Sequence, residues 1–99
     1  MAIGLITRFP EGAGANEYDA VQNELNTEGD PPDGLYVHCC GELEGRFQVF
    51  DIWETREQHD RFQQERLIPT MKRVMGEERF AELPEAERVE TEIHNFVIP

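Results

Sequence analysis

Residues 35–53 read LYVHCCGELEGRFQVFDIW, and this stretch decides how the rest of the chain can fold. Both halves are rich in β-branched and aromatic residues, which is typical of β-strands. Between them lies Glu44–Gly45, and a two-residue turn that contains glycine is typical of a β-hairpin. The sequence therefore predicts strands over Leu35–Leu43 and Phe47–Glu54, joined by a tight turn.

This turn fixes which residues face each other, because opposite residues then have numbers that sum to 89. Side chains alternate between the two faces of a strand, so paired residues share a face. The predicted pairs on one face are Tyr36 with Trp53, His38 with Asp51, Cys40 with Val49, and Glu42 with Phe47. The other face carries the more apolar set Leu35, Val37, Cys39, Phe50 and Ile52. A slip of one residue would separate His38 from Asp51.

The segment before the hairpin predicts a strand and a helix. Ile3 to Phe9 is a short apolar run, closed by Pro10 and the turn cluster Gly12–Gly14. Asn16 is the predicted helix cap, with Asp19 in the first turn. The apolar stripe of this helix is Tyr18, Val21 and Leu25, and the predicted stop is Gly29 with Pro31–Pro32.

The segment after the hairpin predicts more helix and a last strand. Thr55 and Gln58 form a capping box, so a helix begins there and runs to about Leu67. Pro69 suits the first position of a further helical turn. That turn carries Met71, Val74 and Met75, and the final strand runs from Val89 to Ile98.

The resulting order, strand–helix–strand–strand–helix–strand, predicts an α+β protein with a ferredoxin-like βαββαβ antiparallel sheet and helices on one face. An unrelated α+β sandwich is the alternative. A chain of 99 residues is expected to form one domain, residues 1–99. Because helices cover one face and both faces are apolar, we expect a homodimer joined through the sheet face. The alternative cover is the loop from Met75 to Arg88.

His38 and Asp51 are the sharpest candidate catalytic pair. A carboxylate beside an imidazole raises its proton affinity and fixes its tautomer, as a general base requires. Tyr36 and Trp53 beside them offer flat apolar area and hydrogen-bond donors for a planar ligand. The alternative is a His–Asp pair that only satisfies a half-buried strand.

The second helix adds candidate residues. Its inward stripe contains Phe62 and Leu67, and His59, Gln63 and Arg66 fall between them at 100° per residue. Such polar residues suit a helix that borders a cleft. The alternative is a shallowly buried helix whose polar side chains reach water.

Composition limits the partners. The chain has 9 Lys and Arg against 21 Asp and Glu, a net charge of −12, which disfavours nucleic acid and anionic membranes. The adjacent Cys39 and Cys40 form no disulfide framework, so a cytoplasmic location is expected. MAIGLITRFP is too short and too soon broken by Pro10 for a signal peptide, and the apolar runs are too short for a membrane span.

Other chemistries fit less well. His38, His59 and His94 lie on three different predicted elements without ligand spacing, so no metal site is expected. Gly12-Ala-Gly14 lacks the rest of a phosphate-binding loop, and there is no nucleophile-elbow serine. No cofactor is expected.

Two longer patterns carry a family resemblance. Val49-Phe50-Asp51-Ile52-Trp53-Glu54-Thr55, followed by Phe62, resembles the dimeric α+β barrel superfamily, and in particular antibiotic-biosynthesis-monooxygenase-like domains. The run from Pro31-Pro32-Asp33-Gly34-Leu35 through His38, Gly41 and Gly45 to Trp53-Glu54, then Phe62 to Pro69, resembles small uncharacterised bacterial proteins of this fold.

The resemblance implies homodimers with facing sheets and a pocket between sheet and helices in each subunit. It also implies that Trp53 faces that pocket. Members include cofactor-free oxygenases of aromatic polyketides, cyclases, isomerases and haem-degrading enzymes. This chain departs from the haem-degrading pattern, because Ile3 to Phe9 contains no asparagine and Gln63 stands where that pattern has histidine.

Two functions therefore compete. The first is a cofactor-independent monooxygenase, isomerase or cyclase that acts on a small aromatic or polyketide-like ligand. In it His38 and Asp51 move a proton, His59 or Arg66 stabilises an oxyanion, and the ligand is held by Tyr18, Tyr36, Trp53 and Phe62. The second is a non-catalytic homodimeric module for ligand binding or stress response. A purely structural dimer without a pocket is a third possibility.

Overall fold

The structure is a computed structural model that describes residues 2–10 and 15–99. Within these ranges the chain forms four strands and a helical layer. In chain order the elements are β1 (Ile3–Arg8), α1 (Ala15–Leu25), β2 (Leu35–Leu43), β3 (Arg46–Trp53), α2 (Arg56–Phe62), a π-helical segment (Gln63–Leu67), α3 (Ile68–Met75), α4 (Glu77–Glu82) and β4 (Glu87–Glu92).

The four strands form one antiparallel sheet in the order β2-β3-β1-β4. The helices pack on one face, where Leu5, Val21, Leu25, Val49 and Trp53 form most of the buried core. We call this the helical face of the sheet and the opposite one the open face. The predicted ferredoxin-like βαββαβ fold is confirmed.

The hairpin turn is the one predicted from the sequence. Glu44 and Gly45 have φ angles of 55° and 78°, so both adopt the left-handed conformation of a type I′ turn. His38 pairs with Asp51, Cys40 with Val49, and Glu42 with Phe47, as the register requires. The predicted hairpin register is thus confirmed from Val37 to Leu43.

The predicted pairing of Tyr36 with Trp53 is wrong. The register shifts between Leu35 and Val37, and Leu35 is the residue opposite Trp53. The cause lies at the start of β2, where Gly34 has a φ of 85° and its carbonyl accepts a hydrogen bond from the Glu54 amide at 2.7 Å. The turn at Gly34 and the turn at Glu44–Gly45 give the two ends of β2 registers that differ by one residue. A β-bulge at Tyr36 accommodates the extra residue.

Helix α1 differs from the prediction at both ends. It begins at Ala15, so Asn16 lies inside it and the predicted cap is wrong; the Gly12–Gly14 turn lies outside the described residues. It ends at Leu25, before Gly29, because Asn26 takes a left-handed φ of 53°. A left-handed residue after the last helical turn is a common helix stop, and asparagine tolerates it.

The helical segment after β3 is continuous from Arg56 to Met75 and comprises α2, the π-helical segment and α3. The Thr55 hydroxyl accepts a hydrogen bond from the Gln58 amide at 3.2 Å, which confirms the predicted start. The predicted further helical turn is present as α3, which begins at Ile68, one residue before the predicted start, with Pro69 in its first turn. A proline inside a helix lacks a donor and clashes with the carbonyl four residues earlier, and the π-helical segment widens the backbone at that point.

Strand β4 ends at Glu92 instead of Ile98, because its partner β1 begins at Ile3. The Ile93 amide still donates to the Ala2 carbonyl at 2.9 Å, and pairing stops there. The Ile93 side chain then lies over Gly4, and the Phe96 ring packs against Tyr36 with a centroid distance of 5.3 Å. The tail from residue 93 therefore covers one end of the open face.

The loop from Met75 to Arg88 does not cover the open face as the alternative proposed. It contains α4, which packs against α3. Arg79 in α4 also donates to the Glu17 carboxylate of α1 at 2.9 Å. This segment belongs to the helical side of the sheet.

Candidate functional site

Three side chains from three elements form a hydrogen-bonded triad on the helical face. Tyr18 comes from α1, His38 from β2 and Asp51 from β3. The Tyr18 hydroxyl lies 2.5 Å from His38 Nε2, and His38 Nδ1 lies 2.6 Å from Asp51 Oδ1. The hairpin register brings His38 and Asp51 together, and the apolar stripe of α1 directs Tyr18 down onto the sheet.

Trp53 completes the hydrogen bonding of Asp51. Its indole N–H donates to Asp51 Oδ2 at 3.4 Å, so both carboxylate oxygens accept hydrogen bonds. Trp53 is only 1% exposed, and its position is fixed by the surrounding core. The triad is thus anchored at its inner end by the most deeply buried side chain of the described residues.

The donors and acceptors define one protonation pattern for the triad. Burial raises the pKa of the Tyr18 phenol, and the Cys40 thiol and the Asp51 charge raise it further. A protonated phenol donates its hydrogen to His38 Nε2. His38 then carries its own hydrogen on Nδ1 and donates it to the Asp51 carboxylate, which has no hydrogen to offer.

The outer part of the triad lies beside aromatic rings. Phe47 meets the Tyr18 ring edge-on with a centroid distance of 5.0 Å, and Phe9 stacks on Phe47 at 5.7 Å. The side chains of His38 and Asp51 are 23% and 16% exposed, because the outer half of the hairpin extends beyond the helices. The site is a half-open surface with an aromatic wall.

Sequence reasoning missed three residues of this surface. The predicted register placed Cys40 on the same face as His38, but Cys40 was not assigned to the site. Phe9 and Phe47 had no role in the predicted site, and Tyr18 was expected only to hold a ligand. These contacts depend on how close α1 lies to β2. That distance is set by packing between elements that are far apart in the chain, so the sequence pattern does not predict it.

The other predicted residues surround Trp53. His59 is buried with its ring edge-on to Trp53 at 5.4 Å, and Phe62 packs on Trp53 at 5.5 Å. Trp53 therefore separates the predicted set into the triad on its indole N–H side and a group from α2 against its ring.

Arg66 stabilises the end of α1. Its Nη2 donates to the carbonyls of Leu25 and Asp30 at 3.0 and 2.9 Å, and its guanidinium lies 5.5 Å from the Phe62 ring. These contacts use both hydrogens of Nη2, and they direct the guanidinium toward the end of α1. Tyr36, which was expected to hold the ligand, contacts Phe96 of the tail instead and is 42% exposed, so it lies apart from the triad and outside this site.

Two surface depressions flank α1. One of about 300 Å³ is lined by residues that include Arg66, Thr70 and Arg73. The other, of about 350 Å³, lies between α1 and α3 and includes Ala20, Val74 and Met75. Neither of the two contains a residue of the triad.

Residues 2–10 and 15–99 contain neither a metal-binding cluster nor a membrane-spanning helix. No group of three or more His, Cys, Asp or Glu side chains there could hold a metal ion. No helix in the same ranges is long and apolar enough to cross a membrane.

No protein-family model matches the sequence, and no curated protein matches it either. Solved structures do resemble this fold over nearly the whole chain. The Rv0793 protein of Mycobacterium tuberculosis is 14% identical with a TM-score of 0.67, and the match covers 99% of this chain and 100% of that one. SnoaB, a cofactor-independent oxygenase from Streptomyces nogalater, is 12% identical with a TM-score of 0.65, covering 97% and 96%.

A candidate antibiotic biosynthesis monooxygenase from Chloroflexus aurantiacus is 15% identical with a TM-score of 0.64, and the match covers both chains completely. The protein thus has the ferredoxin-like α+β fold of antibiotic-biosynthesis-monooxygenase-like proteins. At these identities the similarity extends to the fold alone, and the chemistry of the site depends on its own residues.

The environment of Tyr18 gives a titration prediction. The chain has two tyrosines, so Tyr36→Phe leaves Tyr18 as the only phenol. We expect its ultraviolet titration to fall above the ordinary pKa of about 10 in the folded protein and to return to about 10 in urea. A pKa that is raised by folding stabilises the protein below pH ~10, and that contribution is lost as the pH rises further.

The matched control is Tyr18→Phe, which should lack this pH-dependent loss of unfolding free energy. A folded Tyr36→Phe protein whose phenol titrates at or below its value in urea would contradict the buried triad.

Proposed function

We propose that this protein is a small-molecule enzyme of the cofactor-independent monooxygenase, isomerase or cyclase type, acting on an aromatic or polyketide-like ligand. The observation that carries the proposal is the Tyr18–His38–Asp51 triad, with spacings of 2.5 and 2.6 Å. Three ionisable side chains are connected by hydrogen bonds, and both carboxylate oxygens of the last one, Asp51, accept a hydrogen bond. This arrangement is suited to proton transfer. The shared fold with SnoaB supports the same reaction class.

The chemistry needs a substrate with an acidic carbon-bound hydrogen, such as the CH₂ group of an anthrone, whose anion is delocalised onto the ring carbonyl. The triad accepts this proton, and the imidazolium formed at His38 is stabilised by the Asp51 carboxylate. The substrate anion is then reprotonated elsewhere, attacks a carbonyl of the same molecule, or reacts with O₂. In the last case the CH₂ becomes C=O, one oxygen atom enters the product and the other leaves as water.

The competing function is a non-catalytic homodimeric module for ligand binding or stress response. The observation that favours it is the mutual satisfaction of the triad, since each hydrogen-bonding group has a partner within the protein. Such a network stabilises a half-buried strand without any substrate. His38→Ala would then reduce stability, and neither this variant nor the wild-type protein would turn over a ligand.

Turnover of dithranol, a dihydroxyanthrone, separates the two functions. We expect the wild-type protein to accelerate O₂ consumption by this compound, measured with an oxygen electrode. His38→Ala should lower kcat/KM by about 100-fold or more, because general acid–base catalysis contributes ~10²–10⁴ in rate. Asp51→Asn should lower it as well, because an amide cannot stabilise the imidazolium.

The matched control is His94→Ala, which removes an exposed histidine in the tail and should leave the rate unchanged. Equal rates for the wild-type and His38→Ala proteins would overturn the catalytic proposal. A ligand-induced rise in Tm with no turnover would favour the binding module.

We further propose that two copies associate through the open face of the sheet. Phe50, Val37 and Ile6 lie on this face, and Val89 is 41% exposed there. The tail from residue 93 covers one end of it, with Phe96 on Tyr36. An apolar sheet face that helices leave uncovered favours a second copy as its cover.

Light scattering in solution tests the association. We expect a dimer for the wild-type protein and a monomer for Val89→Glu, because a charge at an exposed apolar position disrupts the contact without entering the core. Ala81→Glu adds the same charge on α4, on the opposite side of the sheet, and should remain dimeric. A monomeric wild-type protein at micromolar concentration would contradict the proposal.

A further inference from the structure

His38 has no free nitrogen for a substrate. Nδ1 is engaged with Asp51 Oδ1 at 2.6 Å and Nε2 with the Tyr18 hydroxyl at 2.5 Å. A general base must itself come within hydrogen-bond distance of the hydrogen that it removes. His38 could meet this condition only if Tyr18 first moved away.

The Tyr18 hydroxyl has the free acceptor that His38 lacks. A phenol that donates its hydrogen to an imidazole can still accept a hydrogen bond at its oxygen, beside which the Cys40 thiol also lies. Tyr18 is half-buried and stands against Phe47, which stacks on Phe9, so a flat ring beside Tyr18 would find an aromatic wall. Tyr18 is thus the member of the triad that can accept a further hydrogen bond with the triad intact.

We propose that Tyr18 is the catalytic residue that takes the proton from the substrate, and that His38 and Asp51 are positioning and proton-accepting residues that act through it. This inference rests on the proposed function. As the proton of the substrate is transferred to the Tyr18 oxygen, the original phenol proton moves to His38 Nε2. Tyr18 gains one proton from the substrate and loses one to His38, so it is a neutral phenol before and after the transfer.

This relay explains how a phenol that resists ionisation can serve as a base. Burial raises the pKa of Tyr18, so a free tyrosinate would be costly. The charge that develops resides on the His38 imidazolium, which lies against the Asp51 carboxylate. The tyrosine hydroxyl thus transfers the proton without becoming charged at either end of the step.

The same surroundings define the substrate class. Asp51 and Asp19 both act on Tyr18 through their negative charge, and the chain as a whole carries a net charge of −12. An anionic ligand would be repelled at this surface. A neutral hydroxylated aromatic compound with one acidic hydrogen satisfies both the aromatic wall and the charge.

Hydrogen exchange in dithranol tests the inference without oxygen. Under anaerobic conditions in D₂O, the wild-type protein should accelerate exchange of the carbon-bound acidic hydrogen of dithranol, followed by proton NMR. Tyr18→Phe keeps the ring and removes the hydroxyl, and should lower the exchange rate by about 100-fold or more. Its dissociation constant for dithranol, measured by fluorescence titration, should change by less than about tenfold, since only one hydrogen bond is lost and the ring contacts remain.

Tyr36→Phe is the matched control, because it makes the same chemical change at the chain's other tyrosine, which packs on Phe96. It should exchange hydrogen at the wild-type rate. His38→Ala should also lose exchange, because the phenol hydrogen then has no acceptor.

The outcomes separate the inference from the proposed function. If Tyr18→Phe retains exchange while His38→Ala loses it, His38 contacts the substrate directly; the inference fails and the proposed function stands. If the wild-type protein does not accelerate exchange, both fail. Loss of exchange in Tyr18→Phe and His38→Ala, with Tyr36→Phe unaffected, supports the inference.

Discussion

The left-handed turn at Glu44–Gly45 is the constraint on which the rest of the structure depends. Its two positive φ angles close the hairpin after two residues and fix the register of β2 against β3. That register puts His38 beside Asp51 on the helical face. A slip of one residue would turn one of the two toward the open face, and neither the triad nor its anchor on Trp53 would form.

Trp53 connects the stability of the fold with the chemistry of the site. Its ring fills the core against His59 and Phe62, while its N–H holds one oxygen of Asp51. A rigid side chain with one polar atom suits this role, because packing fixes where the donor points. The triad is therefore positioned from the inside of the protein, and its outer member, Tyr18, is the one beside the exposed part of the hairpin.

Local signals in the sequence predicted the fold and the pairing of His38 with Asp51, two of the three residues of the triad. Alternation, the Glu-Gly turn and the Thr55 cap depend on neighbouring residues, and these elements lie where expected. The bulge at Tyr36 depends on a second turn at Gly34, and the length of β4 depends on where β1 begins. The contact of Tyr18 with His38 depends on how α1 lies across the sheet. Such features follow from packing between distant elements, which spacing along one chain does not encode.

The most direct measurement of the triad is the tautomer of His38 by ¹H–¹⁵N NMR of histidine-labelled protein. We expect a hydrogen on Nδ1 and an acceptor at Nε2, with the Nε2 chemical shift changed by Tyr18→Phe and unchanged by Tyr36→Phe. A hydrogen on Nε2 in the neutral ring, or a spectrum that Tyr18→Phe leaves unaltered, would contradict the Tyr18–His38–Asp51 triad.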